Sequence, residues 1–142
     1  MHGEEIFGPF FGMMLLTFVV WVVMYVRRLH CIISNRIDTR ELTIPEKGAK
    51  LIPENVSWPA YNFRNLFELP VLLYALCLYL FVTGNVDTMF VSSAWLFVAL
   101  RSVHSLVHCT RNIVKLRFTV YMLGAIVLWF MILRSAWQLL AG

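Results

Sequence analysis

From Ile6 to Val26 the chain carries no charged side chain, and about 20 consecutive apolar residues are what a helix needs to cross the ~30 Å hydrocarbon core of a bilayer. Three further apolar blocks follow, from about Trp58 to Val82, Thr88 to Cys109 and Phe118 to Leu140, with short polar segments between them. Inside lipid every backbone N–H and C=O must be satisfied within the spanning element, which leaves helices or a closed barrel. Continuous apolar blocks, as opposed to alternating ones, select helices. The expectation is an all-α integral membrane protein, a four-helix bundle formed as a single domain over 1–142. Composition agrees: 60% of residues are hydrophobic and 14% charged, against roughly 25% charged in a soluble domain.

The formal charge of +4 is not the footprint of a nucleic-acid-binding face. Apart from Arg64, Arg101 and Arg134, the Lys and Arg residues lie in two connections: Arg27, Arg28, Arg36, Arg40, Lys47 and Lys50 in the first, Arg111, Lys115 and Arg117 in the third. By the positive-inside rule both connections are expected on the cytoplasmic side. Both termini and the Gly84-Asn85-Val86-Asp87 turn then face the other way. A cleavable leader needs positive charge ahead of its apolar run, and here Glu4 and Glu5 precede it. Pro45, Pro53 and Lys47-Gly48 mark the first connection as an irregular loop after a helical overhang. Cys31, Cys77 and Cys109 show no metal-ligand spacing and are expected as reduced thiols.

Charged groups inside the apolar blocks carry the functional signal, because each costs at least ~2.5 kcal/mol in hydrocarbon and therefore turns toward the bundle interior. At helical spacing Tyr61, Arg64, Asn65 and Glu68 share one face of the second block, and Arg101, His104, Ser105 and His108 share one face of the third. At about 1.5 Å per residue, Glu68 counted from Trp58 and Arg101 counted from Arg111 both lie roughly 15 Å below the surface. The two faces are thus expected to meet rung by rung, with Glu68 and Arg101 as a structural ion pair. Excess positive charge along the strip suits an anionic polar ligand entering from the side of the third connection. Pro70 leaves the carbonyl of Leu66 without its helical donor, and a kink there would open such a cavity. Arg134, near the outer end of the fourth block, is expected to snorkel to the interface.

Three segments resemble the MAPEG family, the membrane-associated proteins of eicosanoid and glutathione metabolism. Tyr61-Asn62-Phe63-Arg64-Asn65-Leu66-Phe67-Glu68 is similar to the Arg-Asn-x-x-Glu segment of its prostaglandin E synthase branch. Arg101-Ser102-Val103-His104 is similar to that branch's Arg-x-x-His, and Arg117 followed by Tyr121 to its Arg-x-x-x-Tyr. The intervals between these segments also agree. The resemblance implies a homotrimer with glutathione between neighbouring copies near the cytoplasmic side, and an apolar small-molecule electrophile arriving from the membrane lipid. It implies that Arg64, Asn65, Glu68 and His104 contact glutathione, with His108 on the same face, that Arg101 is the structural partner of Glu68, and that Arg117 with Tyr121 carries the chemistry by stabilising the thiolate. His108 stands where relatives commonly have Tyr, and Phe118 where the prostaglandin branch has Ser, which argues against a prostaglandin-type isomerase.

Two functions follow as expectations. The first is a glutathione-dependent transferase or peroxidase acting on apolar electrophiles. The alternative is a non-catalytic lipid-binding or scaffold member, since the family includes both. His104 and His108, four apart on one helical face and near Glu68, make a metal-ligand set that is too short, and no metal is expected.

Overall fold

The computed structural model describes residues 3–141, so the outermost residues of the expected 1–142 unit lie outside it. Six α-helices follow one another: α1 (Phe7–Ser34), α2 (Pro45–Leu51), α3 (Glu54–Asn65), α4 (Leu69–Thr83), α5 (Thr88–Cys109) and α6 (Val114–Ala141). Short 3-10 turns at Glu4–Ile6 and Glu41–Thr43 precede α1 and α2. Four helical stretches are long and apolar enough to cross a membrane: Glu4–Ser34, Glu54–Thr83, Thr88–Cys109 and Val114–Ala141. The protein is thus an all-α, multi-pass membrane protein, with α1 running past Val26 as the overhang that the sequence suggested.

The second stretch is not one continuous helix. Pro70 has no N–H, and its ring clashes with the carbonyl four residues back, so α3 ends at Asn65 and α4 begins at Leu69 with Pro70 in its first turn. Backbone N–H groups of Phe67 and Glu68 reach only three residues back, to Arg64 O at 3.0 Å and Asn65 O at 3.3 Å, the tighter bonding typical of a closing helix turn. Glu68 itself takes non-helical dihedrals, φ −96° and ψ −102°. It sits in the connection and not on a helix face.

The turn expected at residues 84–87 is present. Gly84 adopts a left-handed conformation at φ 69°, the Asn85 N–H bonds back to Leu80 O at 3.0 Å, and the Asp87 side chain caps α5 by accepting from the Phe90 N–H at 2.9 Å; each of these satisfies a helix-end group that lipid could not. The third connection is shorter than expected. Asn112, at φ 47°, reverses the chain and α6 starts at Val114, so Lys115 and Arg117 lie in its first turns.

Helix α5 packs most extensively against α6, while α1 lies against α3 and α5. The core is apolar, with Leu73, Cys77 and Leu80 of α4, Phe90, Ala94 and Phe97 of α5, Leu128 and Met131 of α6, and Met13 of α1 all buried. Close approach of α1 to α5 depends on Gly8 and Gly12, where a Cβ would come within 3.1 and 3.2 Å of the Trp95 ring; small residues serve helix contacts in membranes this way. Phe11, Phe18, Val82, Leu133 and Trp137 remain exposed, an apolar outer surface suited to lipid. Cys31, Cys77 and Cys109 are free and buried.

Candidate functional site

Buried polar side chains gather on one face of α5. Arg101, His104, Ser105 and His108 are all at most 4% exposed, which is the stripe read from their spacing. Facing them is the first half of α6. His104 Nδ1 lies 3.1 Å from the backbone carbonyl of Arg117; a carbonyl only accepts, so this nitrogen carries the proton and Nε2 keeps a free lone pair. No partner reaches that Nε2, nor Nδ1 of His108. The two imidazoles meet edge to face at 5.5 Å, and Tyr121 lies 5.7 Å from His104.

Arg101 is the most unusual member. Its guanidinium carbon stands 4.5 Å over the Tyr121 ring and 5.4 Å from that of Phe97, a cation–π setting. None of its three side-chain nitrogens has a hydrogen-bond partner, although the residue is 1% exposed. Among the described residues the one ion pair is Asp87–Arg134. The Glu68–Arg101 pair expected from helix depth is therefore not formed within the chain. Breaking the helix before Pro70 leaves Glu68 exposed in the connection, while Arg101 is buried against aromatic rings.

The rung pairing also needs correction on α3. Tyr61 and Arg64 are exposed and line a cavity shared with α1 and α2, whereas Asn65 is half-buried with its Oδ1 buried and unpartnered. Asn62 is the residue that meets α5. Fully buried, it donates through Nδ2 to Cys109 Sγ at 3.6 Å and accepts from Ser105 Oγ at 3.4 Å. Sequence reasoning passed over Asn62 because it lies off the stripe of charged residues, yet an amide within an apolar block must find a partner, and that was the available signal. Arg134 lies at the outer end of α6 and reaches the 84–87 turn, where it has a partner that the sequence did not reveal: its two Nη atoms bond both oxygens of Asp87, and its guanidinium lies 4.3 Å over Phe90. It ties α6 to the start of α5.

Arg117 is half-buried, and its Nη1 donates to Asn112 Oδ1. The loop that reverses the chain therefore also orients this guanidinium. Arg27 reaches from α1 to the Cys109 carbonyl at the end of α5, so three helices converge at this end of the bundle. Among the described residues no group of three His, Cys, Asp or Glu side chains is arranged to hold a metal ion.

Four apolar helices long enough to span a membrane thus enclose a cluster of buried arginine, histidine, serine and asparagine side chains. The sequence matches the MAPEG family over residues 6–137. The chain belongs to the MAPEG family, a group of membrane proteins that act on hydrophobic substrates. No curated protein and no solved structure matches it.

Proposed function

We propose that the chain is a glutathione-dependent membrane transferase or peroxidase acting on apolar electrophiles. The observation that carries this reading is Arg101, a buried guanidinium without an anion. An unpaired buried cation is strongly unfavourable, and a carboxylate delivered by a ligand offsets that cost. Glutathione brings two carboxylates, an ammonium and two amides. Around the site stand matching groups: the unpartnered Asn65 Oδ1 and His104 Nε2 as acceptors, the exposed carboxylate of Glu68 for an ammonium, and Arg64 and His108 as further contacts.

Bound glutathione supplies a thiol, reactive as its thiolate. A free thiol titrates near about 8.5, and bringing it to about 7 takes roughly 2 kcal/mol of preferential interaction with the anion. Arg117 offers that interaction. One of its N–H groups is held by Asn112, which leaves the remainder of the five guanidinium donors for a ligand. Tyr121, beside both His104 and Arg101, adds a hydroxyl donor.

Homotrimeric assembly fits the exposure of Arg64 and Glu68. A charged group facing lipid costs at least ~2.5 kcal/mol, and a second copy laid over this surface removes that cost while completing the glutathione site. The charge distribution supports cytoplasmic basic connections, with both termini on the opposite side.

One observation favours the non-catalytic alternative: both side chains already have structural partners, His104 donating to the backbone carbonyl of Arg117 and the Arg117 guanidinium donating to Asn112 Oδ1. Titration calorimetry of the detergent-solubilised protein with glutathione, followed by turnover assays with an activated chloroarene and an alkyl hydroperoxide, separates the readings. Saturable binding with turnover is expected. Binding without turnover of either probe supports the scaffold, and no binding overturns both the cofactor and the activity.

A further inference from the structure

A groove of 260 Å³ runs between α1 and α5. Its α1 wall is Leu16, Val19, Val20 and Val23, an i, i+3, i+4, i+7 stripe on one helical face. Its α5 wall, Ser102, Ser105, Leu106 and Cys109, repeats that spacing. No residue proposed to contact glutathione lines the groove, and no residue of α3, α4 or α6 does. The hydroxyls along it are satisfied within the protein: Ser102 Oγ donates to Val98 O at 2.8 Å, Ser105 Oγ to Asn62 Oδ1 at 3.4 Å, and Thr110 Oγ1 to Leu106 O at 2.6 Å. Its walls therefore ask for an apolar occupant. Val19 and Leu106 are 49% and 65% exposed, so the groove opens on the outer surface. From Leu16 to Arg27 is about 16 Å of helix, half of the ~30 Å hydrocarbon core and thus the depth of one leaflet. Arg27 closes the groove where the uncharged run of α1 stops. Its Nη1 donates to the Cys109 carbonyl, which leaves further guanidinium donors. No carboxylate lines the groove, and Arg27 is not ion-paired among the described residues.

We infer that this groove holds one acyl chain of an anionic phospholipid, with the phosphate at the free donors of Arg27 and the chain reaching the bilayer mid-plane near Leu16. Guanidinium and phosphate form charge-assisted hydrogen bonds, and a chain laid along the two stripes restores the dispersion contacts that an unfilled groove lacks. The volume lies just below the range of drug-sized ligand cavities, room for one chain with the other left in the bilayer. Arg28 and Arg111, both exposed and near Arg27 and the end of α5 in sequence, raise the positive potential at that level. A lipid of net negative charge is therefore favoured over a zwitterionic one, whose ammonium meets the same arginines. Helices α1 and α5 touch directly where Gly8 and Gly12 admit Trp95, and the chain fills the other half of the same seam. The site does not depend on the glutathione reading.

The test uses the full chain, stripped of lipid in a neutral detergent and titrated with phosphatidylglycerol while thermal unfolding is followed and native mass spectra count the lipids retained. One saturable lipid per chain and a rise in Tm are expected, with phosphatidylcholine of the same chain length binding more weakly. Arg27→Gln weakens the phosphatidylglycerol affinity about tenfold, the size of one lost charge-assisted hydrogen bond, whereas Arg27→Lys retains most of it. Arg27→Gln also removes the bond to the Cys109 carbonyl, so a second variant decides: Val23→Phe places a ring in the groove, leaves Arg27 intact and weakens lipid retention as much. All three variants bind glutathione like the wild type. Lipid retention by Val23→Phe equal to that of the wild type overturns the inference, as does equal retention of the two lipids. Val23→Phe turning an oligomer into monomers with lipid retention unchanged assigns the groove to a second copy, and displacement of the lipid by glutathione assigns it to the glutathione site; either result overturns the inference. Absence of glutathione binding with the lipid response intact removes the proposed enzymatic function and leaves this site standing.

Discussion

A guanidinium held away from water needs an anion or a carbonyl, and Arg101 has aromatic faces instead, those of Tyr121 and Phe97. Cation–π contact offsets only part of the desolvation cost, so the ligand-free protein carries this side chain at a loss. Arg101→Met, similar in length and without charge, is accordingly expected to keep or raise the Tm of the ligand-free protein. It should weaken glutathione binding at least about tenfold, since hydrogen bonds to charged groups contribute about 1.5–3 kcal/mol. Paired melting curves and titrations check both halves. A lower Tm with unchanged affinity would make Arg101 a structural residue. The α5 stripe was legible in the sequence because ionisable residues in an apolar block have one tolerable direction, inward. Glu68 was misread for a reason equally physical: the depth count assumed a helix through Pro70, and the break took Glu68 off the face on which it was counted.

At the scale of elements, the ends of helices decide the site. Asn112 shortens the third connection and holds Arg117, while Asp87 caps α5 and anchors α6 through Arg134. Hydrogen bonding from Arg134 holds the Asp87 carboxyl below the usual carboxylate range, with burial opposing it and the Phe90 N–H assisting. A carboxyl whose folded value is depressed contributes stability that is present above its unfolded value, about 3.9, and lost as pH falls through the folded one. Asp87→Asn keeps a good N-cap and removes only the ion pair. It should cost about 0.2–1 kcal/mol at neutral pH, as expected for a partly exposed pair, and the difference from wild type should shrink below about pH 4. Melting curves across pH test this, and a difference that persists unchanged into acid would contradict it. Helix rotation was less legible than helix position. Lipid tails are as apolar as a packed core, so hydrophobic periodicity does not say which side of α3 faces its neighbours. Asn62, Ser105 and Cys109 set that rotation through a few polar contacts.

For the whole molecule, the four spans, their order and the 84–87 turn were readable from hydropathy and charge because bilayer thickness fixes span length. The arrangement of copies was not, since it depends on surfaces that a single chain leaves open. Tyr61, Arg64 and Glu68 are exposed, on the face that the proposed trimer would cover. Mass measurement in detergent that preserves glutathione binding is expected to give three chains per particle. A binding-competent monomer would contradict the shared site. Stabilisation of a glutathione thiolate by Arg117 can be followed in the ultraviolet absorbance of bound glutathione, titrated with pH. In the wild type the thiol should ionise about 1.5 units below its free value. Arg117→Ala should return it toward about 8.5 and cut turnover far more than binding, with Arg117→Lys in between through its point charge. An alanine variant whose bound thiol ionises at the wild-type pH would contradict the account.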